Sequence, residues 1–148
     1  MTTGRLKPIE ILLVEDSPTD ALLAREALGE SRLFNQLHQV SDGVEAMAFL
    51  NQEGAYATAP RPDLILLDLN LPRKDGREVL AELKTDERFK RIPVIVLTTS
   101  HAERDILAAY NHHANCYIVK PVDFQKFTSV VQSIEGFWFA VVTLPPEN

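Results

Sequence analysis

Residues 63–76 read "DLILLDLNLPRKDG", and the fold turns on how this stretch is read. Leu64 to Leu67 form an unbroken apolar run, which suits a strand covered on both faces. The run ends at Asp68, and turn formers follow at once: Asn70, Pro72, Asp75 and Gly76. A carboxylate at the mouth of a buried strand needs a reason beyond packing.

Working outward, four more short runs read as strands: "IEILLVE" (9–15), "NQLHQV" (35–40), "PVIVLTT" (93–99) and "NCYIVK" (115–120). Residues 35–40 are the most polar and suit a sheet edge. Amphipathic stretches lie between the strands. "SPTDALLAREALGE" (17–30) offers Ser17 as N-cap and Pro18 at the first helical position, with Leu22, Leu23 and Leu28 at helical spacing. The stretches 42–52, 75–86, 100–113 and 122–139 follow the same pattern, and Asp123 is placed to cap the last. Strand and helix alternate five times, which predicts an α/β fold. At this length the expected form is a doubly wound, five-stranded parallel sheet in the flavodoxin-like order 2-1-3-4-5, since an eight-unit barrel takes about 250 residues. Only 51–62, ahead of the third strand, reads as a long loop.

In such sheets ligands bind beyond the carboxyl ends of the strands. Those ends carry Glu15 and Asp16, Asp68, Thr98 and Thr99, and Lys120. Three carboxylates, a hydroxyl and an ammonium are therefore expected on one rim. Gathering acids costs free energy that a divalent cation relieves, and carboxylates with water are how proteins hold magnesium. An aspartate beside such an ion can attack phosphorus, while lysine and hydroxyl bind the oxygens of the transferred group. Structural roles compete with these readings. Asp68 could start the Asn-Leu-Pro turn, Glu15 and Asp16 could serve the following helix N-terminus, and Thr98 and Thr99 are ordinary strand formers.

The four segments "LLVEDSP", "LLDLNLPRKDG", "VIVLTTS" and "YIVKPVD", in this order, resemble the receiver domain of two-component response regulators over about residues 9–135. The resemblance implies Asp68 as phosphoacceptor. It implies Glu15, Asp16, Asp68 and the Asn70 carbonyl as the set around Mg2+ (or Mn2+), with Glu15 acting mainly through water. It further implies Thr98 as switch hydroxyl, Lys120 as phosphate-binding ammonium, Tyr117 as aromatic switch and a cis bond before Pro121. Glu15 is one carbon longer than the aspartate many receivers carry, and Thr99 is bulkier than the usual residue. The loop 55–76, the stretch "LKTDERFKRIPVIVLTTS" and the tail "FWFAVVTLPP" are similar to stand-alone receivers that partner cyanobacterial phytochrome histidine kinases. The implied function is uptake of a phosphoryl group from a sensor histidine kinase, followed by a switch of the face built by helix four, strand five and helix five. That makes the protein a signalling receiver rather than an enzyme. A haloacid-dehalogenase-like phosphohydrolase is an alternative; it wants a second acid where Asn70 stands, and a cap. A receiver-like binding module that is never phosphorylated is another.

Composition bounds the rest. A length of 148 residues fits one domain, 1–148, with a core at about 9–135 and an apolar extension at about 136–148. No room for an effector domain is expected, so output is a protein contact or a further phosphotransfer. A formal charge of -6 argues against direct nucleic-acid binding. One cysteine, Cys116, and a polar N-terminus fit a cytoplasmic location, and no apolar run reaches the roughly 20 residues a membrane span needs. Phe137, Trp138, Phe139 and Leu144 continue past where a receiver needs to end, and their apolar character predicts a homodimer interface or a tail folded over its own helix.

Overall fold

The structure is a computed structural model that describes residues 8–29, 35–98, 116–119 and Ser129, with Thr98 and 116–119 as backbone. Five strands run parallel: β1 (Ile9–Val14), β2 (Asn35–Val40), β3 (Leu64–Asp68), β4 (Val94–Thr98) and β5 (Cys116–Val119). Their order in the sheet is β2-β1-β3-β4-β5, the flavodoxin-like arrangement. Three helices are described: α1 (Pro18–Gly29), α2 (Gly43–Leu50) and α3 (Gly76–Thr85). A single 3-10 turn, Gly54–Tyr56, interrupts the loop ahead of β3. Expected helices at 100–113 and 122–139 lie outside the described residues, apart from Ser129.

Period-two alternation explains the continuous apolar strands. Ile11, Leu13, Leu64, Leu66, Ile95 and Leu97 face α1, packing on Ala21, Ala24, Ala27 and Leu28. Leu12, Val14, Ile65, Leu67, Val94 and Val96 face the other way, onto Phe49 and Leu50 of α2 and Val79, Leu80 and Leu83 of α3. With both faces covered, every position of a central strand must be apolar. Strand β2 pairs only with β1 among the described strands, and its mixed burial explains its polar sequence.

Helix α1 corrects one expectation. Leu22 is 55% exposed, and the inward stripe is made by alanines with Leu28. Small side chains let the helix axis approach the sheet, so of the leucines at helical spacing Leu28 joins the core and Leu22 does not. The capping expectations for the first three helices hold, and Asp123 lies outside the described residues. Ser17 Oγ accepts the Asp20 N–H at 3.3 Å, and Asp42 and Asp75 cap α2 and α3. Among the described residues no helix is long and apolar enough to cross a membrane.

Candidate functional site

The strands deliver their C-terminal residues to one rim. Asp68 is the last residue of β3, and Glu15 and Asp16 directly follow β1. Glu15 and Asp68 share the alternation parity of the α1-facing residues, so both emerge on that side of the sheet. One carboxylate oxygen from each of Glu15, Asp16 and Asp68 lies within 4.8 Å of the others. Glu15 and Asp68 are buried and Asp16 is exposed. With both buried groups ionised, repulsion at this separation is roughly 3 kcal/mol for the pair at an effective dielectric near 20.

Backbone holds this cluster in place. The Glu15 N–H donates to the Val40 carbonyl at 3.0 Å, continuing the β1–β2 ladder past the strand end. Glu15 Oε2 accepts the Ser17 N–H at 3.0 Å, and the Glu15 carbonyl accepts Gln39 Nε2 at 3.3 Å. Gln39 is joined in turn to Arg25 of α1. Asp68 Oδ1 accepts the Asn70 N–H at 3.0 Å. The turn that follows is tightly closed: Leu69 N–H reaches the Leu97 carbonyl and Gly76 N–H reaches the Leu69 carbonyl. A side chain at Gly76 would place its Cβ 2.3 Å from the Asp68 carbonyl oxygen, so only glycine fits where α3 begins.

Asp16 also opens onto a groove of about 330 Å³ lined by Pro18, Ala21, Leu22, Arg25, Gln39 and Ser41. On the other side, Asp42 Oδ1 accepts the Glu45 N–H, and Arg73 Nη1 lies 3.2 Å from Asp42 Oδ2. Burial, reinforced by the charges of Glu45 and Asp42, pushes the Tyr56 hydroxyl above the usual tyrosine range. Lys74 is held above the ordinary lysine value by its hydrogen bond to Glu82. Lys84 is pushed below it by burial, its Nζ reaching the Ile92 carbonyl at 2.8 Å.

Glu15, Asp16, Asp68 and Asn70 are thus brought together as their order in the chain predicts. Thr98 ends β4, one residue past Leu97, the register partner of Asp68. Tyr117 lies in β5 opposite Val96. Lys120, the Pro121 bond, Phe137, Trp138, Phe139 and Leu144 fall outside the described residues. Sequence reasoning missed the supporting roles of Ser17 and Gln39 and the contact between Arg73 and Asp42. The first two act through a backbone amide or a side-chain amide, which carry no sequence signature.

Three carboxylates with one side open to solvent form a hard-oxygen donor set, and such a set suits a small divalent cation. The chain belongs to the response regulator receiver domain family, whose model matches residues 11–132. It is the receiver of a two-component response regulator. Response regulator Rcp1 of Synechocystis sp. is 55% identical over 138 residues, covering 93% of this chain and 94% of that one. The crystal structure of the phosphorylated cyanobacterial phytochrome response regulator RcpA is 54% identical, with a TM-score of 0.80 over 95% of this chain and 100% of that one. The Mn2+-bound form of Rcp1 superposes with a TM-score of 0.79 at 55% identity, covering 94% of this chain and 100% of that one.

Proposed function

We propose that Asp68 accepts a phosphoryl group from a phytochrome-type sensor histidine kinase. The observation that carries this reading is the meeting of Glu15, Asp16 and Asp68 within 4.8 Å at the carboxyl rim of the sheet. Glu15, Asp16, Asp68 and the Asn70 carbonyl would hold Mg2+ or Mn2+, with Glu15 acting through water. Once bound, such an ion offsets the clustered negative charge and polarises phosphate oxygens. The Asn70 N–H fixes the plane of the Asp68 carboxylate through Oδ1. A carboxylate oxygen of Asp68 attacks phosphorus, an O–P bond forms, the P–N bond to the kinase imidazole breaks, and the bond pair leaves with that nitrogen. Lys120 and Thr98 bind the oxygens of the transferred group.

The modified Asp68 gains up to about two negative charges, and the rim acquires strong hydrogen-bond acceptors. Thr98 and Tyr117 then bias the face of helix four, strand five and helix five toward its second arrangement. On this reading residues 9–135 form one doubly wound receiver core. Its chemistry is confined to its own phosphorylation and dephosphorylation. Its place is the cytoplasm, and its output is contact with a protein or a further phosphotransfer, without nucleic acid or membrane. The apolar residues Phe137, Trp138, Phe139 and Leu144 support a homodimer through the C-terminal end. Identity above 50% to RcpA and Rcp1 supports the phytochrome assignment. Asn70, standing where a dehalogenase-type hydrolase wants its second acid, speaks against that alternative.

The test is intact mass after treatment with acetyl phosphate and Mg2+. Wild type gains the mass of one phosphoryl group and Asp68→Asn gains none. Equal labelling of both proteins removes Asp68 as the acceptor. Light scattering that gives a monomer at high micromolar concentration removes the dimer.

A further inference from the structure

The loop that leaves the sheet at Asp68 is held at two places. Its base is closed by backbone, with Gly76 N–H on the Leu69 carbonyl at 3.1 Å and Gly76 Cα against the Asp68 carbonyl. Its apex is held by a different element. Arg73 adopts φ +67°, a left-handed conformation that is strained for an arginine and open to a glycine. Within the loop the Lys74 N–H donates to the Pro72 carbonyl at 2.7 Å across this residue, and a contact from outside the loop is added to it. The Arg73 guanidinium meets Asp42 Oδ2 at 3.2 Å, and the Asp42 side chain is only 7% exposed. Next to it, the Lys74 carbonyl oxygen lies where a Cβ on Gly43 would stand, at 2.2 Å. Asp42 divides its oxygens: Oδ1 caps α2 by accepting the Glu45 N–H at 2.8 Å, while Oδ2 takes Arg73. The apex is therefore fastened to the start of α2 through Arg73, while the neighbouring Lys74 is paired with Glu82 of α3.

Between the two fixed points lie Asn70, Leu71 and Pro72. Leu71 packs on the core cluster, and Asn70 is exposed with its N–H on Asp68 Oδ1 at 3.0 Å. A short segment pinned at both ends has little conformational freedom, so the direction of the Asn70 amide is set by the pins. We propose that Arg73, through Asp42, is a positioning residue for Asn70 and Asp68. The tether keeps the Asn70 N–H on the acceptor carboxylate and so keeps the acidic cluster ready for a divalent cation. The consequence for cation binding rests on the function proposed above; the consequence for Asn70 does not.

The experiment compares Arg73→Ala, Arg73→Lys, Arg73→Gly and Asp42→Asn with wild type. Asparagine keeps a capping oxygen while removing the charge, which separates the tether from the helix cap. Three readouts are taken: the apo Asn70 amide resonance, the dissociation constant for Mn2+ alone by calorimetry, and the melting temperature. The Asn70 resonance is expected to move in Arg73→Ala and Asp42→Asn. Mn2+ binding is expected to weaken about three- to tenfold, at or below the low end for residues supporting metal ligands. Arg73→Lys recovers most of both, and Arg73→Ala combined with Asp42→Asn is no weaker than the weaker single variant. Arg73→Gly relieves the backbone strain yet binds Mn2+ as poorly as Arg73→Ala. Wild-type Mn2+ affinity and Asn70 resonance in variants that merely melt earlier overturn the proposal, as does an Arg73→Gly variant that binds Mn2+ as tightly as wild type. Should the Asn70 resonance move in Arg73→Ala while wild type itself binds no Mn2+, the tether stands and the cation reading falls.

Discussion

The two ends of the parallel sheet handle carboxylates in opposite ways. Toward the N-terminal end, Glu10 Oε1 meets His38 Nε2 at 2.7 Å, and Asp63 Oδ2 accepts the Glu10 N–H at 2.9 Å. The His38 ring in turn lies 5.4 Å from the Phe49 ring. Each acid there stands beside a group of complementary character, as stability alone would arrange it. At the C-terminal end Glu15, Asp16 and Asp68 crowd one another instead. The lesson is that a carboxylate's neighbours, not its presence at a strand end, separate a structural acid from a functional one.

The largest test of this contrast is magnesium linkage. At a concentration about 100 times its dissociation constant, Mg2+ is expected to stabilise wild type by roughly 2.7 kcal/mol. Asp68→Asn should gain far less, and its apo form should melt higher than apo wild type, by about 3 °C for each kcal/mol of relieved repulsion. Melting curves with and without Mg2+ decide it, and equal shifts in both proteins would remove Asp68 from the cation site. Next in size is Gly76→Ala. Its Cβ would press on the Asp68 carbonyl, so a loss of about 1–3 kcal/mol is expected in urea unfolding, together with slower phosphoryl uptake.

At the other end His38→Ala is expected to cost about 1 kcal/mol, since it removes a part-exposed hydrogen bond and a ring contact. Mg2+ affinity should be unchanged. A weakened cation site in this variant would show that the two ends are coupled after all. The smallest effect is expected from Ser17→Ala. Loss of the 3.3 Å cap should cost about 0.5–1 kcal/mol, while the Ser17 N–H still holds Glu15, so Mg2+ affinity stays within about twofold.

Much of this was legible in the residues themselves. Continuous apolar runs gave away strands buried on both faces, and turn formers after Asp68 marked the rim. Asp42 and Asp75 announced their helices, because a capping carboxylate serves an amide two or three residues on. Helix α1 was harder to orient. Alanine and leucine both count as apolar in a periodicity argument, yet Ala21, Ala24 and Ala27 take the inner face and leave Leu22 outside. Arg73 gave no warning either. Its left-handed backbone sits in a tight turn closed by the Lys74 N–H on the Pro72 carbonyl, its side chain meets Asp42, 31 positions earlier, and arginine has no local preference that would disclose either. Thr98 and Tyr117 can be placed by strand register, but register alone does not say where a hydroxyl points.

Strand β2 lies at a margin of the sheet, and its middle reads Gln36, Leu37, His38, Gln39. A foreign strand laid alongside it would find amides and an imidazole on either flank and no greasy strip to share. That side of the molecule is therefore poorly suited to ribbon-like stacking of one chain on the next. Fibril growth and lateral clumping are discouraged at this border by ordinary polar side chains.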